Sequence, residues 1–258
     1  MPKSRALVTG ASSGIGSALA RRLAAREVEV WLAGRRRDKL DAEVAAIAAA
    51  GGYAHAVILD VAVPDDAAGR VLALDTDVGG FDLVVANAGI GGRAKNVHEQ
   101  TWQEVRDIFG TNVIGALATL LPLVPPMIER AKAGRRGHIA AVSSMAAELA
   151  LPAAADYGAS KAALSFFLEC AQADLPARGV DVTIIHPGFV KTDMTAKNKF
   201  PMPFLVELEE AARIIDSGLA ERARTIRFPL GIVAAMALGK LATPAMRGRL
   251  VARSLPKA

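Results

Sequence analysis

The sequence predicts a doubly wound α/β fold, a parallel sheet with helices on both faces, and three observations carry that expectation. Short apolar runs alternate with stretches of helical periodicity along most of the chain. The first of these runs, Ala6 Leu7 Val8, leads straight into a glycine-rich turn and then a helix. The third observation is size: 258 residues at 52% hydrophobic composition suffice for one large core, so a single domain is expected.

The glycine turn is Thr9 Gly10 Ala11 Ser12 Ser13 Gly14 Ile15 Gly16, and Ala18, Leu19, Ala20 and Leu23 follow it at helical spacing. Gly10 permits a tight turn, Gly14 lets a pyrophosphate approach the backbone, and Gly16 lets helix and strand pack closely. Val28 to Leu32 reads as the second strand, ending in Ala33 Gly34 Arg35 Arg36 Arg37. An alanine-rich helix from Asp38 to Ala50 stops at Gly51 Gly52. Ala54 to Leu59 is the third strand, with Asp60 Val61 at its end, and a helix is expected from Pro64 to Asp75.

Phe81 to Ala86 is an apolar strand that ends in Asn87 Ala88 Gly89, a pattern suited to burial on both faces. Thr101 and Glu104 form a capping box that opens a helix reaching Ile128, with distortion expected at Pro122, Pro125 and Pro126. Its uncharged stretch from Val113 to Ile128 approaches a membrane-spanning length but reads as a buried helix. Asn112 lies inside this helix, where asparagine is mildly unfavourable and asks for a reason. Ile139 to Val142 reads as a buried strand that presents Ser144 at its carboxyl end, where open α/β sheets bind ligands. Val180 to Ile185 is a further strand and Thr225 to Phe228 a last edge strand. His186, at a strand end with no partner motif nearby, reads as a hydrogen-bonded structural histidine.

Tyr157 and Lys161 stand four apart in a helical stretch, which places them on one face. A phenol has a pKa near ~10, and an ammonium held beside it stabilises the phenolate and draws that value down. The pair can therefore move a proton.

Taken in order, the glycine turn, Asn87 Ala88 Gly89, Ser144, Tyr157 with Lys161, and Pro187 Gly188 with Thr192 resemble the short-chain dehydrogenase/reductase family over roughly residues 5 to 195. The resemblance implies a Rossmann-type sheet of seven strands and hydride transfer between a nicotinamide and a carbonyl or secondary alcohol. It implies Asn112, Ser144, Tyr157 and Lys161 as catalytic residues, with Asn112 holding a water that passes protons to Lys161. It implies cofactor contacts from Gly10, Ser12, Ser13, Gly14, Ile15 and Gly16, from Asp60 and Val61, from Asn87, Ala88 and Gly89, and from Tyr157, Lys161, Pro187, Gly188, Val190 and Thr192. It also implies a homodimer or homotetramer built on the helices beginning near Thr101 and Tyr157. The domain would span residues 1–258, with 193–258 as a variable substrate loop and C-terminal segment. Two alternatives stand beside the enzyme: an NADP(H)-binding regulatory or scaffold protein without turnover, and a nicotinamide-dependent epimerase or dehydratase.

NADP(H) is expected over NAD(H). A carboxylate at the end of the second strand would favour NAD by accepting bonds from the ribose hydroxyls. Gly34 stands there, followed by Arg35 and Arg36, whose guanidinium groups suit a phosphate, with Ser12 adding a hydroxyl. Three consecutive arginines cannot all face one phosphate, so at least one belongs to a solvated helix start. Met145, Leu151, Phe189, Met194, Phe200 and Phe204 suggest a small, apolar carbonyl or alcohol substrate.

Four scattered histidines and one cysteine give no metal-ligand cluster, so no metal is expected. Cys170 reads as a small core residue, and with no second cysteine a reducing, cytoplasmic setting is the simplest. The amino terminus runs directly into the first strand without the apolar region of a signal peptide. From Arg222 to Ala258 there are eight lysines and arginines and no acid, leaving −3 for the rest of a chain whose net charge is +5. The basic balance is thus local and gives no reason to expect nucleic acid. Apolar residues from Phe228 to Leu241 recur at helical spacing, so this segment reads as a last packed helix with solvated arginines or as a basic helix in weak contact with a membrane surface.

Overall fold

The computed structural model describes residues 4–92, 95–150, 153–198 and 201–241. Leu151, Phe200 and the basic segment 242–258 lie outside them. Seven strands form one parallel sheet in the order β3-β2-β1-β4-β5-β6-β7. They are β1 (Arg5–Thr9), β2 (Glu29–Gly34), β3 (Ala54–Ile58), β4 (Leu83–Ala86), β5 (Gly137–Val142), β6 (Val180–Pro187) and β7 (Thr225–Phe228). The strand order reverses between β1 and β4, and a crevice opens there at the carboxyl ends.

Helices α1 (Gly14–Ala25) and α2 (Arg37–Ala49) cover one face together with α8 (Leu208–Ala220). Their Leu19, Leu40 and Ile215 meet Val8, Leu32 and Val85 of the sheet. On the other face, α3 (Pro64–Asp77), α5 (Ala116–Leu120), α6 (Val124–Lys132) and α7 (Ala155–Asp174) bring Val71, Leu120, Met127 and Leu164 against Leu7, Val84 and Ile139. Alternate residues of one strand thus feed both cores, as a central parallel strand requires. The small side chains of β5, all six of its residues buried, let helices approach closely on both sides.

The long helix predicted from Thr101 begins with the expected capping box: Thr101 Oγ1 accepts from Glu104 N–H and Glu104 returns a bond to Thr101 N–H. It continues as α4 (Trp102–Phe109), a π-helical turn over Gly110–Gly115, α5, a 3-10 turn at Leu121–Leu123 and α6. The distortion therefore starts at Gly110, twelve residues before Pro122, and the prolines account only for the later 3-10 turn. Within the π turn, a Cβ on Gly115 would collide with the Val61 carbonyl oxygen. That close approach sets how deep the turn sits under the sheet. Trp102–Lys132 is the one helical stretch among the described residues long and apolar enough to cross a membrane, yet its Ala116, Leu120, Leu123 and Met127 are in the core.

Two expectations need correcting. Cys170 is exposed, not core. The buried positions of α7 are Asp156, Ser160, Lys161, Leu164, Ser165, Leu168 and Gln172, and residue 170 falls on the opposite side of the helix from most of them. The second correction is α8, which the sequence reading passed over although Ala211, Ala212, Ile215 and Leu219 carry helical spacing and are all buried.

Candidate active site

The site is assembled from strand ends. Thr9 closes β1, and its hydroxyl accepts from the backbone N–H groups of Asn87 and Ala88 at 3.1 and 3.2 Å. The Asn87 amide in turn donates to the carbonyls of Thr9 and Gly10. These bonds lock the glycine turn to the end of β4, and they explain two of the glycines. Gly10 has φ +66°, and a Cβ there would lie 2.8 Å from Ala88 Cα. A Cβ on Gly16 would lie 2.6 Å from the Gly10 carbonyl oxygen, so α1 could not start where it does.

The carboxyl ends of β1, β4, β5 and β6 open onto a cleft of about 340 Å3. Every residue predicted for cofactor contact lines it except Gly16, which packs behind the turn. At one end, Arg36 donates to the hydroxyl oxygens of Ser12 (3.0 Å) and Ser13 (2.8 Å), which leaves both hydroxyl hydrogens free to turn toward an anion. Arg35 is exposed, with Asp60 3.9 Å away, while Asp60 also accepts from Ala62 N–H in a tight turn. Arg37 is the arginine that belongs to the solvated helix start: it pairs with Asp41 one turn on at 2.8 Å. The first turn of α1 contains no acid, and Ser13 makes no side-chain cap bond, so its N–H groups face the cleft uncompensated.

At the other end, α7 presents Tyr157 and Lys161 below Ser144. Lys161 is only 4% exposed; its Nζ donates to the Val142 carbonyl at 2.7 Å and lies 6.0 Å from the centre of the Tyr157 ring. Burial lowers its pKa to about 8. Desolvation raises the pKa of Tyr157, opposed by a hydrogen bond from Ser144. The expectation that Lys161 draws the phenol down is therefore not met in the net direction: loss of water raises the phenol, and the one opposing influence is Ser144, while the Lys161 ammonium is itself buried and bonded to the Val142 carbonyl. Ser144 is oriented by accepting from Ala146 N–H at 3.1 Å. Ser143 fixes the helix to the strand, donating to the Lys161 carbonyl and sharing a 2.7 Å bond with Ser165.

Asn112 stands behind the cleft, fully buried. Its Oδ1 accepts from Ile90 N–H at 2.8 Å, and its Nδ2 donates to the Ile90 carbonyl and to Ser160 Oγ. The side chain is thus committed to positioning the Gly89–Ile90 segment against α7. His186 is buried at the end of β6 and donates from Nδ1 to the Ser144 carbonyl at 3.2 Å, with its pKa lowered chiefly by burial. It is the structural histidine expected.

Other lining residues escaped the sequence reading: Thr9, Leu59, Ala62, Ile90, Thr111, Ser143, Asp193 and Thr195. Thr195 had a signal, since a threonine three after Thr192 can close a local turn. It accepts from Thr192 N–H at 3.0 Å and donates to the Val190 carbonyl at 2.6 Å. Met194 also lines the cleft, whereas Met145 is buried and Phe204 is exposed against Gly231.

A dinucleotide fits this cleft. The open helix N-terminus suits a pyrophosphate, the serines and arginines suit further oxygens, and Gly89 leaves room beside the reactive end. A Cβ at Gly89 would sit 3.0 Å from Asn112 Oδ1 and 3.4 Å from Lys161 Nζ. No group of three or more His, Cys, Asp or Glu among the described residues could hold a metal ion.

Comparison with known proteins agrees. Residues 4–201 match the family model described as short chain dehydrogenase. A protein of Myxococcus xanthus described as an uncharacterized oxidoreductase is 48% identical over 224 residues, 87% of each chain. Gluconate 5-dehydrogenase of Gluconobacter oxydans is 35% identical over 75% of this chain and 73% of its own. Among solved structures, a short chain dehydrogenase of Burkholderia cenocepacia in complex with NADP aligns with a TM-score of 0.73 at 30% identity, over 86% of this chain and 94% of that one. A Burkholderia phymatum short chain dehydrogenase/reductase in complex with NAD shares the fold, with a TM-score of 0.83 at 23% identity over 99% and 97% of the two chains. The chain belongs to the short-chain dehydrogenase/reductase family of NAD(P)-dependent oxidoreductases.

Proposed function

We propose that the protein catalyses reversible hydride transfer between NADP(H) and the carbonyl or secondary hydroxyl of a small, apolar compound. The observation that carries this is that Tyr157, Ser144 and a buried Lys161 line one end of a cleft whose other end holds Arg35 and Arg36. The bound nicotinamide supplies the hydride. Tyr157 gives a proton to the carbonyl oxygen in reduction and accepts it back in oxidation, and its raised pKa keeps it protonated at neutral pH. Ser144 donates a hydrogen bond to the same oxygen. Lys161 adds positive charge near the phenolate as it forms and reaches the ribose. Asn112 keeps the Gly89–Ile90 segment in place and stands by the proton path to Lys161. Met194 at the cleft supports an apolar substrate.

Exposed Trp102 on α4 and Phe166 and Phe167 on α7 support a homodimer or homotetramer across these helices. NADP(H) over NAD(H) rests on the absence of a carboxylate at Gly34 and on the two arginines. A hydrogen bond to a charged group contributes about 1.5–3 kcal/mol, so losing one guanidinium–phosphate contact should cost roughly 10- to 150-fold. With one carbonyl substrate, kcat/KM should favour NADPH over NADH, and Arg35→Asp and Arg36→Ala should each shrink that ratio. A wild-type preference for NADH would overturn the cofactor assignment, and no turnover of any ketone or aldehyde in a broad panel would overturn the reaction.

A further inference from the structure

The helix α9 (Leu230–Leu241) closes the described chain and has apolar residues on both sides. Its inner side packs on the fold: Ile232 is buried, and the Cβ positions of Gly188 and Gly239 would lie 2.7 Å from Ile232 Cδ1 and 2.9 Å from Leu149 Cδ2. Its outer side is exposed and carries Leu230, Ala234, Ala235, Ala237, Leu238 and Leu241, with the three leucines 81%, 69% and 84% accessible. No charged residue occurs from Leu230 to Gly239. The patch continues into the preceding loop, where Phe204 lies against Gly231 and Leu205 is also exposed. A surface helix normally turns a polar face outward, and contiguous exposed apolar patches mark interaction sites.

Charge decides what covers it. From Lys240 to Ala258 there are five lysines and arginines and no acid, and the whole stretch from Arg222 carries +8. A second copy seated on this face would bring two such segments together and repel. A surface that is apolar beneath and anionic above would satisfy both the leucines and the cations. We propose that α9 is a docking surface for an anionic lipid bilayer, with its leucine face in the headgroup–acyl boundary and the positive charge of the sequence from Lys240 onward adding attraction to lipid phosphates. Because α9 contacts Leu149, in the segment that starts at Ser144, docking brings the proposed substrate end of the cleft to the lipid surface.

The test uses the full chain with vesicles of phosphatidylglycerol mixed with phosphatidylcholine, and of phosphatidylcholine alone, in a flotation assay. Binding to the anionic vesicles at low salt should exceed binding to the neutral ones at least tenfold and should fall at 1 M salt, where charges are screened beyond about 3 Å. Leu238→Ser/Leu241→Ser should lose most of the binding with an unchanged melting temperature, because both side chains face solvent. Arg247→Glu/Arg249→Glu, which changes the charge of the chain by −4, should weaken it. The proposal fails if the wild type ignores anionic vesicles at low salt, or if the leucine variant floats as well as wild type. It also fails if light scattering shows a dimer that the leucine variant dissociates while vesicle binding is unchanged, since a second copy would then be the occupant.

Discussion

Tyr157→Phe is expected to lower kcat for carbonyl reduction by about 10²- to 10⁴-fold, the usual contribution of a positioned general acid, while leaving NADPH binding near its wild-type value. The substitution removes one hydroxyl and keeps the ring, so the packing of α7 is retained. Ser144 remains, but its hydroxyl is a far weaker acid than a phenol. The pH profile separates chemistry from structure. Because the phenol is raised above its ordinary value, it is protonated through the neutral range, so kcat/KM for reduction should be level there and fall only at alkaline pH as the proton is lost. Alcohol oxidation needs the deprotonated form and should rise over the same alkaline range. Lys161, lowered to about 8, keeps its charge below that pH. In the Phe variant both alkaline limbs attributable to the phenol should vanish. Near wild-type turnover, or an unchanged profile, would remove Tyr157 from the proton-transfer role.

The parts legible in sequence were those where chemistry demands a residue type at a strand end. Gly10, Asn87, Ser144 and Tyr157 with Lys161 are such positions, and the structure gathers all of them at the carboxyl edge of the sheet. The strands were legible for a related reason, since a sheet buried on both faces reads as continuous apolar runs. What stayed hidden depends on distance through space. Nothing local announces that the Arg36 guanidinium lies on the hydroxyls of Ser12 and Ser13, 24 and 23 residues earlier. The direction of the Tyr157 shift was misjudged because spacing reveals a neighbouring charge but not the loss of water around both groups. Cys170 was misplaced because α7 is apolar on several sides, so composition alone did not show which side faces solvent.

Asn112→Leu should destabilise the fold and lower activity together. The leucine has nearly the same volume but offers no polar atom, so the N–H and carbonyl of half-buried Ile90 and the Oγ of fully buried Ser160 each lose a partner. An unsatisfied buried group costs about 1–3 kcal/mol, and for a chain of this size each kcal/mol lowers the melting temperature by roughly 2–4 °C. Three such groups, partly relieved by local movement, imply a fall on the order of 10 °C. Activity suffers by a separate route. The Gly89–Ile90 segment lines the cleft opposite Lys161, and Ser160 donates to the Tyr157 carbonyl at 2.7 Å, so Asn112 ties that wall to the helix carrying the proton donor. Loosening it should reduce kcat/KM even at temperatures where the variant stays folded, and Asn112→Asp, which keeps an acceptor for Ile90 N–H, should lose less stability than leucine. This position also supplies a reason for the π-helical turn: an asparagine inside a regular helix gains little, whereas the widened turn over Gly110–Gly115 contains Asn112 and lets its amide serve two elements at once. A melting temperature within about 2 °C of wild type, with kcat/KM unchanged, would show that these three bonds neither hold the fold nor position the site.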